Sequence, residues 1–195
     1  MARPSEPAPD LKTCLGAHKG KPVSHGSVGR GGIPHLTADH VLHGLGKLGT
    51  VHLPSERAAP ALNATMANLV PLASGGVPPA VPLVRAGQVK ALAATSLGGR
   101  IASLPQAPPA AESGFANVED CTWTGLFGRA GLPADVRRRL NEAGNEALKS
   151  VLVRERVDDA GLEGTPGAPA ATVDHLRREV AKWSAIVTST GASQP

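Results

Sequence analysis

The chain has 195 residues, enough for one large domain or two small ones with a real core. Hydrophobic residues make up 41% of it, which argues against general disorder, but only 2% are aromatic and there is no Tyr, so Ala and Val must supply most of the burial and a core of modest stability is expected. The formal charge of +4 arises from 20 basic residues scattered among 16 acidic ones, a poor footprint for nucleic acid, and the shortage of aromatics removes base stacking as well.

Residues 1–9, MARPSEPAP, are polar and Pro-rich and read as a disordered tail. No apolar h-region follows them, so no signal peptide is expected. No apolar run approaches the ~20 residues that a membrane-spanning helix needs. Asp10–Ala17 reads as a short helix capped by Asp10. Val23–His25 is a candidate strand, Gly26–Gly32 a glycine-rich loop, and Pro34–Leu45 the helix after it, with Pro in its first turn. Strand Thr50–Leu53, helix Ala58–Met66, strand Leu69–Ala73, a Pro-interrupted helix Val77–Arg85 and strand Val89–Thr95 follow. This alternation argues for an α/β fold with parallel strands.

Residues 97–120 read as loop, marked by Gly98-Gly99, Leu104-Pro105 and Pro108-Pro109. Thr122–Phe127 is a further candidate strand, after which the pattern turns helical. Ala134–Ser150 opens after Pro133 and gathers Val136, Leu140, Ala143 and Ala147 on one face. Val151–Ala160 ends at Gly161. Pro169–Thr188 aligns Val173, Leu176, Val180, Trp183 and Val187 in one apolar seam. The basic run Arg137-Arg138-Arg139 falls outside the apolar stripe of its helix and reads as a solvated face. Cys14 and Cys121 are far apart and too few for a metal site of their own, and their spacing decides nothing about a disulfide.

The stretch from His25 to Leu36, HGSVGRGGIPHL, carries the most chemistry. A glycine-rich turn between a strand and a helix brings backbone N–H groups close to a ligand, and the helix N-terminus adds partial positive charge, so carboxylate or phosphate is the expected guest. Ser27 offers a hydroxyl and Arg30 a guanidinium fork. The alternative is a tight turn with no ligand. The loop is not a Walker sequence, and Gly29-x-Gly31 is followed by Pro34 rather than by the third glycine of a dinucleotide fingerprint. His25, His35, His40, His43 and His52 cluster nearby. His40 and His43 can share a helix face while His35 lies off it, and without a carboxylate-rich partner set no metal site is expected. Ser27, Ser55, Ser74, Ser96 and Ser103 sit in no nucleophile motif, so no enzyme is expected.

At this loop the chain resembles the receptors of tripartite tricarboxylate transporters, the Bug family. Their second lobe carries tyrosine-glycine-serine-x-glycine-x-glycine-serine-x-x-histidine-leucine, and His25, Gly26, Ser27, Gly29, Gly31, Gly32, His35 and Leu36 occupy those places, with His25 for the tyrosine and Gly32 for the second serine. The likeness runs collinearly from about residue 10 to residue 190. It includes Val51-His52-Leu53-Pro54, Ala59-Pro60-Ala61-Leu62, the run Arg85–Ser96, Leu104-Pro105 with Glu112-Ser113-Gly114, Trp123-Thr124-Gly125-Leu126-Phe127 and Gly131-Leu132-Pro133.

The resemblance implies a type II periplasmic-binding-protein-like α/β fold in an incomplete two-lobe arrangement. Residues 10–88 would form the second-lobe ligand-binding domain, and residues 89–195 the crossover strands and C-terminal helices that complete the first lobe. It implies a small-carboxylate ligand held by Gly26, Ser27, Gly29, Arg30, Gly31, Gly32 and His35, no cofactor, no nucleic acid, a monomer, membrane transporter subunits as partners, and a periplasmic location. A start at Met1 without a signal peptide would instead place it in the cytoplasm. Three departures point to a shortened chain whose ligand capture is incomplete. The family's first segment, with its Pro-Gly-Gly loop, has no counterpart. Its tyrosine-lysine-glycine after the strand is Ser55-Glu56-Arg57, and its aspartate-bearing strand is Val70-Pro71-Leu72-Ala73-Ser74-Gly75. The competing readings are an α/β enzyme that uses the Gly26–Gly32 loop for a phosphorylated substrate, and a non-catalytic anion- or partner-binding module.

Overall fold

A computed structural model of the chain describes residues 1–96, 99–115 and 118–191. Gly98, half of one loop signal, lies outside the described residues. The chain divides into two compact units: Met1–Thr122 with the final segment from Ile186, and Trp123–Ala185.

The first unit is a three-layer α/β arrangement around a parallel sheet. Helix α1 (Leu11–Ala17) is capped by Asp10, whose Oδ1 accepts from the Thr13 N–H at 2.8 Å. Strand β1 (Val23–Val28) leads to α2 (Ile33–Asp39), which continues without a break into a π-helical turn, His40–Leu45. Then come β2 (Thr50–Ser55), α3 (Ala58–Met66), β3 (Leu72–Ala73) and α4 (Val77–Arg85). The strand order is β2-β1-β3, all parallel. Pro54 is accommodated because β2 is an edge strand, where a missing N–H goes unnoticed. The core gathers α1, β1, the π-helical turn and β3 through Leu11, Leu15, Val23, Leu42 and Leu72, with Leu92 packed among them.

Five expectations are corrected. Residues 1–9 are not a free tail: Ala2 is fully buried, and its backbone N–H and C=O both pair with Lys90. Strand β1 runs through Gly26 and Ser27 to Val28, because pairing with β2 continues to the Val28–Ser55 register; the loop proper is therefore shorter than Gly26–Gly32. Strand β3 shrinks to two residues, since Pro71 lacks the N–H that an extended ladder would use. Val89–Thr95 makes isolated bridges at Lys90 and Ala94 instead of a strand: Lys90 pairs with Ala2, and Ala94 donates to Pro108 O and accepts from the Ala110 N–H. The candidate strand at Thr122–Phe127 forms no ladder either. Cys14 and Cys121 are not joined by a disulfide.

The second unit holds α5 (Ala134–Lys149), α6 (Val151–Asp159) and most of α7 (Pro169–Thr190). Ser150 caps α6 through the Val153 N–H. Asn145 and Gly167 exchange two hydrogen bonds of 3.0 Å each, pinning the linker before α7 to α5. The seam read on α7 is not a buried surface: Val173, Leu176 and Val180 are exposed, Trp183 and Val187 are half-buried, and the helix's buried residue, Ile186, lies outside the seam.

Candidate functional site

In an open parallel sheet the ligand crevice lies outside the carboxyl ends of the strands, at the point where the strand order reverses. Here β1 connects to β2 on one side, and the chain then crosses to β3 on the other. The reversal therefore falls at β1, and the segment leaving it is Gly29–Gly32.

That segment is built to turn sharply. Gly29 and Gly31 have φ of +66° and +75°, values that a side chain resists. The Gly29 N–H donates to Ser55 O at 2.9 Å, tying the loop to the end of β2. The Ser74 N–H donates to Gly26 O, so the segment after β3 joins the same rim. Gly32 caps α2, followed by Pro at the second helical position. With the π-helical turn, the helix beginning there runs without interruption from Ile33 to Leu45, so its dipole points into the loop.

Of the residues expected to touch a ligand, Gly29, Arg30, Gly31 and Gly32 reach the surface. Gly26, Ser27 and His35 are buried beneath them. Gly26 gives α3 its approach to the sheet, since a Cβ there would meet Ala61 O at 3.3 Å.

Under the loop lies a feature not read from the sequence: a stack of three imidazoles. His25 of β1 and His52 of β2 are register partners, which sets them side by side with ring centroids 5.1 Å apart. His35 descends from α2 onto His52 at 3.8 Å. The Gly31 N–H donates to His35 Nδ1 at 3.0 Å, which fixes the tautomer so that Nε2–H donates to Asp39 Oδ2 at 3.1 Å. Ser27 Oγ is hydrogen-bonded to His52 Nε2 at 2.8 Å. His25 is fully buried, and neither of its ring nitrogens has a hydrogen-bond partner among the described residues. Its pKa is lowered to about 4 by burial and then by His52 and His35. His52 is lowered to about 4 by burial, then by His35 and Arg30. Both are neutral at neutral pH.

The chemistry open to this stack is limited. One nitrogen from each ring lies within 4.8 Å of the others, close enough by distance for a metal. But a metal sits in the plane of each imidazole that binds it, and three rings within 18–21° of parallel share no such point. The Ser27–His52 pair looks like part of a nucleophilic dyad, yet Ser27 is fully buried and His52 Nδ1 has no partner among the described residues to orient it. The pair is a structural brace. His40 and His43 point elsewhere: His40 Nδ1 pairs with Asp120 Oδ2 at 3.1 Å, and His43 Nδ1 lies 3.2 Å from Leu48 O.

Comparison with known proteins agrees with this arrangement. The model of the tripartite tricarboxylate transporter family receptor matches residues 1–192. A Pseudomonas protein encoded in the tcbD-tcbE intergenic region is 30% identical over 181 residues, covering 91% of this chain and 53% of its own length. Another, from an Agrobacterium vitis intergenic region, is 27% identical over 172 residues and is covered over 49% of its length; the chain thus spans about half the length of these curated relatives. Among solved structures, a periplasmic transporter superposes with a TM-score of 0.85 at 27% identity, covering 96% of this chain and 62% of its own. MatC of Rhodopseudomonas palustris with bound malate gives 0.77 at 28% identity, covering 95% and 64%. An R. palustris protein with adipate gives 0.86 at 23% identity, a likeness of fold, covering 97% and 64%. The fold is α/β and periplasmic-binding-protein-like.

Proposed function

Because the chain belongs to the tripartite tricarboxylate transporter family of receptors, solute-binding and non-enzymatic proteins, we propose that its Gly29–Gly32 loop takes one carboxylate of a small dicarboxylic acid. One observation carries the reading: the strand-order reversal puts this loop, two left-handed glycines and the start of a long helix at one rim. A carboxylate there meets backbone N–H groups, a favourable dipole end and the Arg30 guanidinium. Gly26, Ser27 and His35 act from beneath, shaping the loop instead of reaching out of it. The relatives solved with malate and adipate support a diacid of that size.

A second lobe is part of the same proposal. The exposed apolar residues of α5 and α7, among them Leu140, Val173 and Val180, support a role for residues 89–195 in completing another lobe. The proposed setting is periplasmic and monomeric, with transfer of the ligand to membrane transporter subunits. Among the described residues no helix is long and apolar enough to cross a membrane.

The test is calorimetry with malate, adipate and a tricarboxylate, on the parent chain and on Arg30→Ala and Gly29→Ala. Heat of binding with a diacid, weakened about tenfold or more in either variant, is the expected result. Binding indifferent to both substitutions would sink the assignment of the loop.

A further inference from the structure

A second polar cluster lies away from the glycine loop, where the N-terminal segment meets α1. Glu6, Cys14 and His18 bring a carboxylate oxygen, a sulfur and an imidazole nitrogen within 4.8 Å of one another. Cys14 lies on α1 and His18 is its C-cap, one turn on, so both project from the same side. Glu6 faces them from the N-terminal segment, held in place by the Lys90 ammonium, which donates to the backbone carbonyls of Glu6 and Ala8.

Within this cluster His18 Nε2 is a buried atom with no hydrogen-bond partner among the described residues. Glu6 is 3% exposed and Cys14 fully enclosed. The Glu6 carboxylate lies 3.7 Å from His18 Nε2 and 4.0 Å from Arg3 Nε, beyond hydrogen-bonding distance of either. Both nitrogens are themselves buried, with no hydrogen-bond partner among the described residues. A buried carboxylate normally closes to about 2.7–2.9 Å on a cationic donor. The wider spacing is close to that of two ligands sharing one ion, since nitrogen and oxygen at ~2.0–2.2 Å from a tetrahedral zinc stand about 3.4 Å apart.

We propose that Glu6, Cys14 and His18 bind a divalent, thiophilic cation of the zinc type, which staples the N-terminal segment to α1. Thiolate, imidazole and carboxylate are the three ligand types that zinc prefers. The His18 side chain, 21% exposed, gives the ion its way in and a solvated fourth position. Arg3 and the buried N-terminal ammonium, which interacts with Cys14, are the competing charges. The Arg3 side chain is 34% exposed and turns outward when the ion takes the carboxylate, while Lys90 stays on its carbonyls. Binding replaces the thiol hydrogen by metal and releases that proton to solvent. Burial and then Glu6 push the Cys14 thiol up to about 11, so affinity falls about tenfold for each pH unit of acidification.

The experiment is a titration of the tag-free full chain with cobalt(II), followed by displacement with zinc. The expected result is a thiolate-to-cobalt charge-transfer band at stoichiometric metal, with strong visible absorption from a four-coordinate site and proton release on binding. Cys14→Ser abolishes the band. His18→Gln, at a partly exposed position, weakens binding about tenfold or more, and Arg3→Gln tightens it. The proposal fails if no charge-transfer band forms, if the band survives Cys14→Ser, or if His18→Gln binds cobalt as the parent does. The last outcome decides the matter even where Cys14→Ser does not fold. None of these readouts uses a residue of the glycine loop, so this site and the carboxylate reading stand or fall separately.

Discussion

His25 occupies the one place in the histidine stack that water does not reach, and its burial has a measurable consequence. Its pKa in the folded chain is lowered to about 4, against about 6.5 when unfolded. Between those values the unfolded chain binds more protons than the folded one, so stability rises with pH. It is fully present above about pH 6.5 and is lost as pH falls toward 4; for His25 alone the loss is roughly 3 kcal/mol. The groups facing the ring are His52 on β2, and His35 and Asp39 on α2. Only Asp39, 4.0 Å away, would favour an imidazolium. Thermal melts by circular dichroism from pH 4 to pH 8 should show this slope, and His25→Phe should reduce it, leaving the part that comes from His52. A slope unchanged in that variant would locate the titration elsewhere. Ser27→Ala provides a second check at this scale. It should lower stability by about 1 kcal/mol by leaving the His52 nitrogen unpartnered, while diacid affinity stays within about twofold, because the hydroxyl faces the stack and not the rim.

At the scale of elements, the two units differ in how they are held. Strand β1 is enclosed by β2, β3, α2 and α3, whereas α5 and α6 have no buried residue at all. Amide exchange followed by mass spectrometry should therefore find α5 and α6 opening first, and the backbone of β1 last. Asn145→Ala should speed exchange around Gly167 further, since it removes both bonds of the pin. The same contrast explains what could be read in advance. Helices α1, α3 and α4 announce themselves locally, through Asp10, the spacing after Arg57 and the Pro pair at Pro78 and Pro79. β3 and the 89–95 segment depend on partners about 15 to 90 residues away, which local pattern does not encode. The glycine loop was legible because left-handed turns favour glycine. The imidazole stack was not, because the equal placement of His25 and His52 acquires meaning only when the register of two strands is known.

For the molecule as a whole, the exposed apolar residues matter most. Leu126, Phe127, Leu140, Leu152, Val173 and Val180 are open to solvent in a chain with few aromatics to spare. Singly exposed apolar residues are ordinary, but so many in one unit mark a surface that needs a cover. The native chain should bind the dye ANS, and Val180→Glu with Leu140→Glu should reduce that signal without shifting the melting temperature by more than about 2 °C. If dye binding is unchanged, those side chains are not the adhesive surface.

The placement of Ala2 bears on how the chain is made. Its N–H and C=O are both taken by Lys90, Arg3 N–H donates to Pro71 O, and Ala73 N–H donates to Met1 O. Residues 1–3 thus wait for their partners, which emerge some 70 to 90 positions later. Closing so long a loop is slow compared with forming the helices that precede it. During that interval the edge of β3 is unguarded and the cavity around Ala2 is unfilled. The vulnerable species in the life of this protein is therefore a nascent one, and a chaperone that shields the growing chain until Lys90 has emerged would affect its yield more than any single contact in the finished core.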